Sequence, residues 1–230
     1  MPAGYDTMFK NKILKAAILY LIVGLTACSQ ESAPTTEEKK PEYEGIIMAI
    51  GDSLTEGFGI DESLSYPALL ERKLFAEGFR YQVINAGISG ETSSGALSRI
   101  KWALTTKPDI VILVTGANDG LRGIDPGLVK SNITQMIQML KDRDVIVVLG
   151  GMQMVQNLGQ NYTDAFSEIY PQIAREQEII YIPFFLAGTA GAPELNQADG
   201  IHPTAEGYQI IVNNIYPYVL EAIEIHRTRS

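Results

Sequence analysis

Ten residues, Ile46 to Thr55, constrain this chain more than any others: Ile-Ile-Met-Ala-Ile-Gly-Asp-Ser-Leu-Thr. The run is apolar without alternation up to Gly51 and then turns polar at once. A strand with one wet face alternates, so a continuously apolar strand needs cover on both faces, as in a parallel sheet flanked by helices. Ligands of such sheets sit beyond the carboxyl ends of the strands, which is where Asp52 and Ser53 fall. Gly, Asp and Ser are also ordinary turn formers and helix caps, so the tripeptide alone reads equally well as a strand-to-helix connection. Thr55 stands where the Gly-x-Ser-x-Gly elbow has its second glycine, so that motif is absent.

From Glu44 onward, short β-branched runs alternate with longer amphipathic stretches, the pattern of βα units on a parallel sheet. Strands are predicted at Ile46 to Gly51, Tyr81 to Ala86, Asp109 to Gly116, Val145 to Gly150 and Ile179 to Pro183. Helices are predicted over about Tyr66 to Glu77, Ser93 to Thr105, Gly127 to Asp142, Asp164 to Gln177 and Thr204 to Ile225. Leu69, Leu70, Leu74 and Phe75 share one face of the first helix, and Gly78 supplies its stop. Ile133, Met136, Ile137 and Leu140 form a second stripe at helical spacing, which makes Met136 a core residue, and Trp102 is read the same way.

The chain has 230 residues, 46% hydrophobic and 20% charged, enough for one domain with a full core and appendages. Residues 1–27 read as a signal peptide: Lys10, Lys12 and Lys15 precede an apolar run from Ala16 to Ala27 that is too short to span a bilayer comfortably. The basic segment begins at Met8, so Met8 competes with Met1 as the start. Leu25-Thr26-Ala27-Cys28 resembles the lipobox of bacterial lipoproteins, in which the cysteine is lipidated and heads the mature chain. Cys28 is the one cysteine present, so no internal disulfide forms. Residues 28–43 read as a disordered tether rich in Pro, Ser, Thr and charge, and 44–230 as the folded domain. The expected location is extracytoplasmic and membrane-anchored, with Ser29 pointing to the periplasmic face of the outer membrane if the organism is Gram-negative. A net charge of −9, more negative once 1–27 and its three lysines are removed, leaves no basic footprint for nucleic acid.

Three further segments fall at predicted strand ends. Asn85-Ala-Gly-Ile-Ser-Gly-Glu-Thr-Ser is a loop whose small residues let a substrate approach the backbone. Gly116-Ala-Asn-Asp-Gly brings the Asn118 amide to the same rim as Ser53, although an asparagine there also suits a plain turn. Of two histidines, His226 lies in the last few residues, where chains are usually poorly ordered, which leaves His202 as the candidate base. In Asp199-Gly-Ile-His-Pro, Pro203 fits the first helical position, and Asp199 can reach one ring nitrogen while the other faces outward. Paired histidines and a cysteine cluster are both lacking, so no metal or cofactor is expected.

Gly51-Asp-Ser-Leu, Gly87 with Ser89-Gly-Glu-Thr-Ser after it, Gly116-Ala-Asn-Asp and Asp199-Gly-Ile-His-Pro resemble, in order and context, the four blocks of the GDSL or SGNH hydrolases. The resemblance spans Glu44 to Glu224, and within the family it is strongest to the bacterial thioesterase I, lysophospholipase and arylesterase group, through Gly51-Asp-Ser-Leu-Thr-Glu-Gly and Gly150-Gly-Met-Gln-Met. It implies an α/β class, three-layer α/β/α flavodoxin-like fold with a five-stranded parallel sheet in the order 2-1-3-4-5. It also implies a serine ester hydrolase: Ser53 as nucleophile, His202 as base, Asp199 as its orienter, and an oxyanion hole from the N–H groups of Ser53 and Gly87 and the Asn118 amide.

Met152, Met154, Val155 and Leu158, after the fourth strand, are the candidate lining of an acyl site, although each suits the core as well. An envelope location favours lysophospholipid or other small acyl esters over cytosolic acyl-CoA. The alternatives are an acetylesterase or acyltransferase acting on envelope polysaccharide and a non-catalytic envelope-binding lipoprotein. Nothing in the sequence indicates an oligomeric state.

Overall fold

The computed structural model describes residues 42–154 and 158–229. The signal peptide, Cys28 and nearly all of the tether lie outside them. Five parallel strands, β1 (Gly45–Gly51), β2 (Tyr81–Gly87), β3 (Ile110–Val114), β4 (Ile146–Gly150) and β5 (Ile180–Ile182), form one sheet in the order β2-β1-β3-β4-β5. In-register pairing sets Gly51 beside both Gly87 and Val114, so β1, β2 and β3 end level with one another.

Among the described residues, seven α-helices connect or follow these strands: α1 (Ser53–Glu56), α2 (Tyr66–Ala76), α3 (Ser93–Ala103), α4 (Ala117–Leu121), α5 (Pro126–Lys141), α6 (Gln160–Gln177) and α7 (Ala205–Arg229). Helices α2 and α7 pack together on one face of the sheet, and α3, α5 and α6 pack side by side on the other. This is the doubly covered sheet demanded by the unbroken apolar runs of β1, β3 and β4. Ile47 to Ile50, Ile110 to Val114 and Val147 to Leu149 are all buried. Leu70 and Leu74 of α2 and the Ile133, Met136, Ile137 and Leu140 stripe of α5 are fully buried against it. A buried side chain of this size is worth roughly 1.5–3 kcal/mol.

The sequence order reverses direction between β1 and β3. A crevice opens there at the carboxyl ends of the strands, the place where sheets of this kind bind ligands. Residues 52 and 53 leave β1, and residues 115–118 leave β3, on either side of it.

Four local expectations need correction. Trp102 is 63% exposed: it lies on the outer side of α3, whose buried positions are Ser93, Ala96, Ile100 and Ala103. His226 belongs to α7, which continues to Arg229, and its Nδ1 lies 2.7 Å from the Tyr81 hydroxyl while Nε2 faces Asp109 at 3.4 Å. Pro203 precedes the helix and bridges to Asn196, and the helix entrance is capped instead by Thr204 Oγ1, which accepts the Gly207 N–H at 3.2 Å. The folded part also starts earlier than residue 44: Tyr43 packs on Phe75, with ring centroids 5.9 Å apart.

Candidate active site

Ser53 opens α1, a single turn fixed at both ends. Asp52 caps it by accepting the Leu54 N–H at 3.0 Å, and Gly57 closes it in the left-handed conformation. Gly51 allows the tight exit from β1, because a Cβ there would collide with Thr55 Oγ1 and the Val114 carbonyl. The hydroxyl of Ser53 thereby stands clear at the start of a helix turn, 2.9 Å from His202 Nε2.

His202 arrives on the long connection between β5 and α7. Its other ring nitrogen, Nδ1, lies 2.7 Å from Asp199 Oδ2, while Asp199 Oδ1 accepts the backbone N–H groups of Ile201 and His202 at 2.9 and 3.0 Å. These hydrogen bonds, led by the one from the His202 ring, hold the Asp199 carboxyl down at about 2. It therefore stays anionic wherever the imidazole has to become a cation. Gln197 fastens this loop to the one beyond α1: its Nε2 donates to the Phe58 carbonyl at 2.7 Å and the Pro203 carbonyl at 3.1 Å. The Phe58 ring lies 4.7 Å from the His202 ring and covers one of its faces.

Asn118, in α4, points its amide across the crevice, donating to the Glu91 carbonyl at 3.1 Å and to Asp52 Oδ2 at 3.3 Å. Asp52 is 1% exposed, and burial raises its carboxyl to about 6. It serves the turn that carries Ser53 with one oxygen and Asn118 with the other. Among the described residues, the N–H groups of Ser53 and Gly90 are taken by no other protein group.

Gly87 does not fit the oxyanion role expected of it. Its N–H donates to Asn85 Oδ1 at 3.0 Å. Its α-carbon packs so closely on the backbone of Thr55 and Glu56 that a Cβ would collide there. Gly87 is glycine so that β2 can end against α1. Gly90, three residues on, is the glycine that lines the cavity at Ser53. The loop carrying it is held by a half-buried ion pair. Arg99 Nε and Nη2 grip both Glu91 carboxylate oxygens at 2.7 and 2.6 Å, and Nη2 also donates to the carbonyls of Ala86 at 2.8 Å and Gly51 at 3.3 Å. One guanidinium thus ties the ends of β1 and β2 to the loop whose carbonyl holds Asn118.

The cavity at Ser53 has a volume of about 190 Å³, and its apolar walls come from Leu54, Phe58, Ala117, Leu121 and Ile201. Of the expected acyl-site residues, Met152, Met154 and Leu158 are not among those lining it. Met152 is buried in the core, and Met154 lies with its sulfur against Gly120, behind α4. Leu158 is exposed, and Val155 lies outside the described residues. Periodicity has nothing to say about Phe58, Leu121 and Ile201, since they stand on loops and loop-helix junctions. Their one signal in the sequence is a large apolar residue next to the glycines of a site segment, as in Gly57-Phe-Gly, Gly120-Leu and Gly200-Ile-His.

Residues 49–210 match the family described as GDSL-like Lipase/Acylhydrolase. The chain is 35% identical to "Esterase TesA" of Pseudomonas aeruginosa over 205 residues, 89% of this chain and 97% of that one. It is 36% identical to "Arylesterase" of Vibrio mimicus over 195 residues, 84% and 92% of the two chains. Among solved structures, the psychrotrophic esterase EstA from a Pseudoalteromonas species, inhibited by monoethylphosphonate, superposes with a TM-score of 0.75 at 30% identity. The match covers 79% of this chain and all of that one.

Proposed function

Because the chain belongs to the GDSL-like lipase and acylhydrolase family and is a serine ester hydrolase, we propose that Ser53, His202 and Asp199 are its catalytic residues and that the Ser53 and Gly90 N–H groups and the Asn118 amide form its oxyanion hole. The observation that carries the assignment is the unbroken chain from Asp199 through His202 to the Ser53 hydroxyl, opening onto an apolar cavity. Ser53 Oγ attacks the acyl carbonyl as its proton passes to His202 Nε2, and Asp199 stabilises the imidazolium that results. The carbonyl oxygen, now an anion, meets the two N–H groups and the amide. For this, Asn118 turns its longer bond, the one to Asp52, toward the substrate. His202 returns its proton to the leaving alcohol, and water then releases the acyl group by the same steps in reverse roles.

The cavity suits a short acyl or aryl group: an apolar cavity of about 150 Å³ already holds a benzene molecule. Aryl and short-chain acyl esters are the proposed substrates, with lysophospholipids next. The proposed setting is the cell envelope, with the domain tethered through lipidated Cys28. It rests on the lipobox-like Leu25-Thr26-Ala27-Cys28 and the Pro- and charge-rich segment after it. Hydrolysis of p-nitrophenyl acetate, butyrate and octanoate tests the reading. Turnover falls on the order of 10⁶-fold in Ser53→Ala and about 10²–10³-fold in Asn118→Ala, with acetate and butyrate preferred. Full activity in Ser53→Ala would refute it.

A further inference from the structure

The loops that carry the site also carry nearly one sign of charge. Residues 52–65, 88–92, 115–125, 151–154 and 183–204 leave the carboxyl ends of the five strands. They hold nine carboxylates against one arginine, Arg122, and no lysine, and Arg99 of α3 neutralises Glu91 among the nine. At the opposite edge the signs are mixed: Arg80, Lys107, Lys141 and Arg143 stand among Glu77, Asp109, Asp142 and Asp144. The catalytic edge is therefore negative beyond what a net charge of −9 spread evenly would make it.

Part of this charge lies beside the cavity at Ser53. A second, open concavity of about 470 Å³ adjoins the cavity at Ser53, and Phe58 forms part of both walls. The carboxylate-bearing residues Glu56 and Glu62 line it, and no cationic side chain does. Asp61 stands next to Glu62 on the same exposed turn. Phe58 is the wall the two share, so the concavity is open to the part of an ester that the 190 Å³ cavity cannot hold.

We infer that the negative catalytic edge selects esters by charge: it admits neutral and cationic esters and discriminates against anionic ones, with Asp61 and Glu62 among the residues that set the preference. The inference rests on the serine esterase reading and adds the charge class of its substrate. A low-dielectric crevice rimmed by like charges raises or lowers the local concentration of a charged ligand by tenfold or more, and salt abolishes the effect. The field also disfavours rebinding of the product, since hydrolysis turns a neutral ester into a carboxylate anion.

The test compares three phenyl butyrates bearing a meta trimethylammonio, methoxycarbonyl or carboxylate group, each normalised to its own rate of hydroxide hydrolysis, with the full-length protein. At low salt, kcat/KM falls in the order cation, neutral, anion, by about tenfold or more from first to last. The spread closes as salt rises toward about 0.5 M. In Asp61→Asn/Glu62→Gln the spread narrows while the neutral ester is hydrolysed as before. Equal or reversed rates at low salt, or a spread that salt and the double variant leave untouched, would overturn the charge selection and leave the esterase intact. Failure on all three esters would instead overturn the esterase reading, and the charge selection with it.

Discussion

Asp52 carries two duties that a catalytic triad does not reveal. Its buried carboxylate caps the turn that carries Ser53 and accepts from Asn118. Asp52→Asn keeps an oxygen for the Leu54 N–H but turns an amide donor toward Asn118, which then loses its hold. Turnover falls about tenfold, less than in Asn118→Ala, and the double variant is no slower than Asn118→Ala alone, because the two act through one group. Measuring kcat for both single variants and the double variant checks this. The same carboxyl also sets a pH dependence of stability. Burial raises it to about 6 when folded, above its unfolded value near 3.8, so the folded state binds the extra proton between those limits. The sign follows: acidifying from about pH 6 to about pH 4 stabilises the wild type relative to Asp52→Asn, and above pH 6 the cost of the buried charge is constant. Thermal unfolding of both proteins across that range shows the wild type gaining on the variant as pH falls. At this scale Ser53, Asn118, Asp199 and His202 were legible because each sits in a short segment of distinctive composition at a strand end. Gly87 and Gly90 were not separable. Two glycines three residues apart in one loop look alike until the strand is seen to end on the first and the cavity to open on the second.

At the scale of elements, the central strands β1, β3 and β4 were legible from apolar runs, which report burial on both faces directly, whereas the sheet order came only with the family resemblance and the edge strand β2 is half-buried. The short helices α1 and α4 were not, because one turn of four or five residues carries no periodicity. Trp102 was misread because a large apolar side chain near a helical stripe gives no sign of lying on its outer face. The clamp of Arg99 on Glu91 was likewise invisible: its members are eight residues apart and meet only because α3 folds back over the loop. Arg99→Lys keeps the charge and loses the bidentate grip and the carbonyl contacts. It lowers kcat by about tenfold through a displaced Asn118 and Gly90 and leaves KM within about twofold, since the apolar wall is untouched. Equal damage to KM, or normal kcat, would show that the pair only holds the fold. In the core, Leu70→Ala costs about 2–5 kcal/mol in denaturant unfolding without changing which esters are cleaved.

For the whole molecule, the proposed catalytic groups gather at one end of the sheet, on loops leaving β1, β2, β3 and β5, while the other end holds the ionic ties of Asp109, His226, Glu44 and Arg227. The proposed chemistry and the carboxylates thus share an edge, while the apolar core between the layers carries the stability. The proposed anchor belongs to this scale too. Radiolabelled palmitate enters the wild-type chain and partitions it into detergent, whereas Cys28→Ala takes up no label and stays in the aqueous phase. Activation of Ser53 by Asp199 and His202 is read out by the intact mass of the protein after brief treatment with a fluorophosphonate. One adduct per chain, mapped to the peptide containing Ser53, absent in Ser53→Ala and formed far more slowly in His202→Ala, is the result predicted. A folded wild type that takes up no adduct, or one that carries it on another serine, would contradict the account.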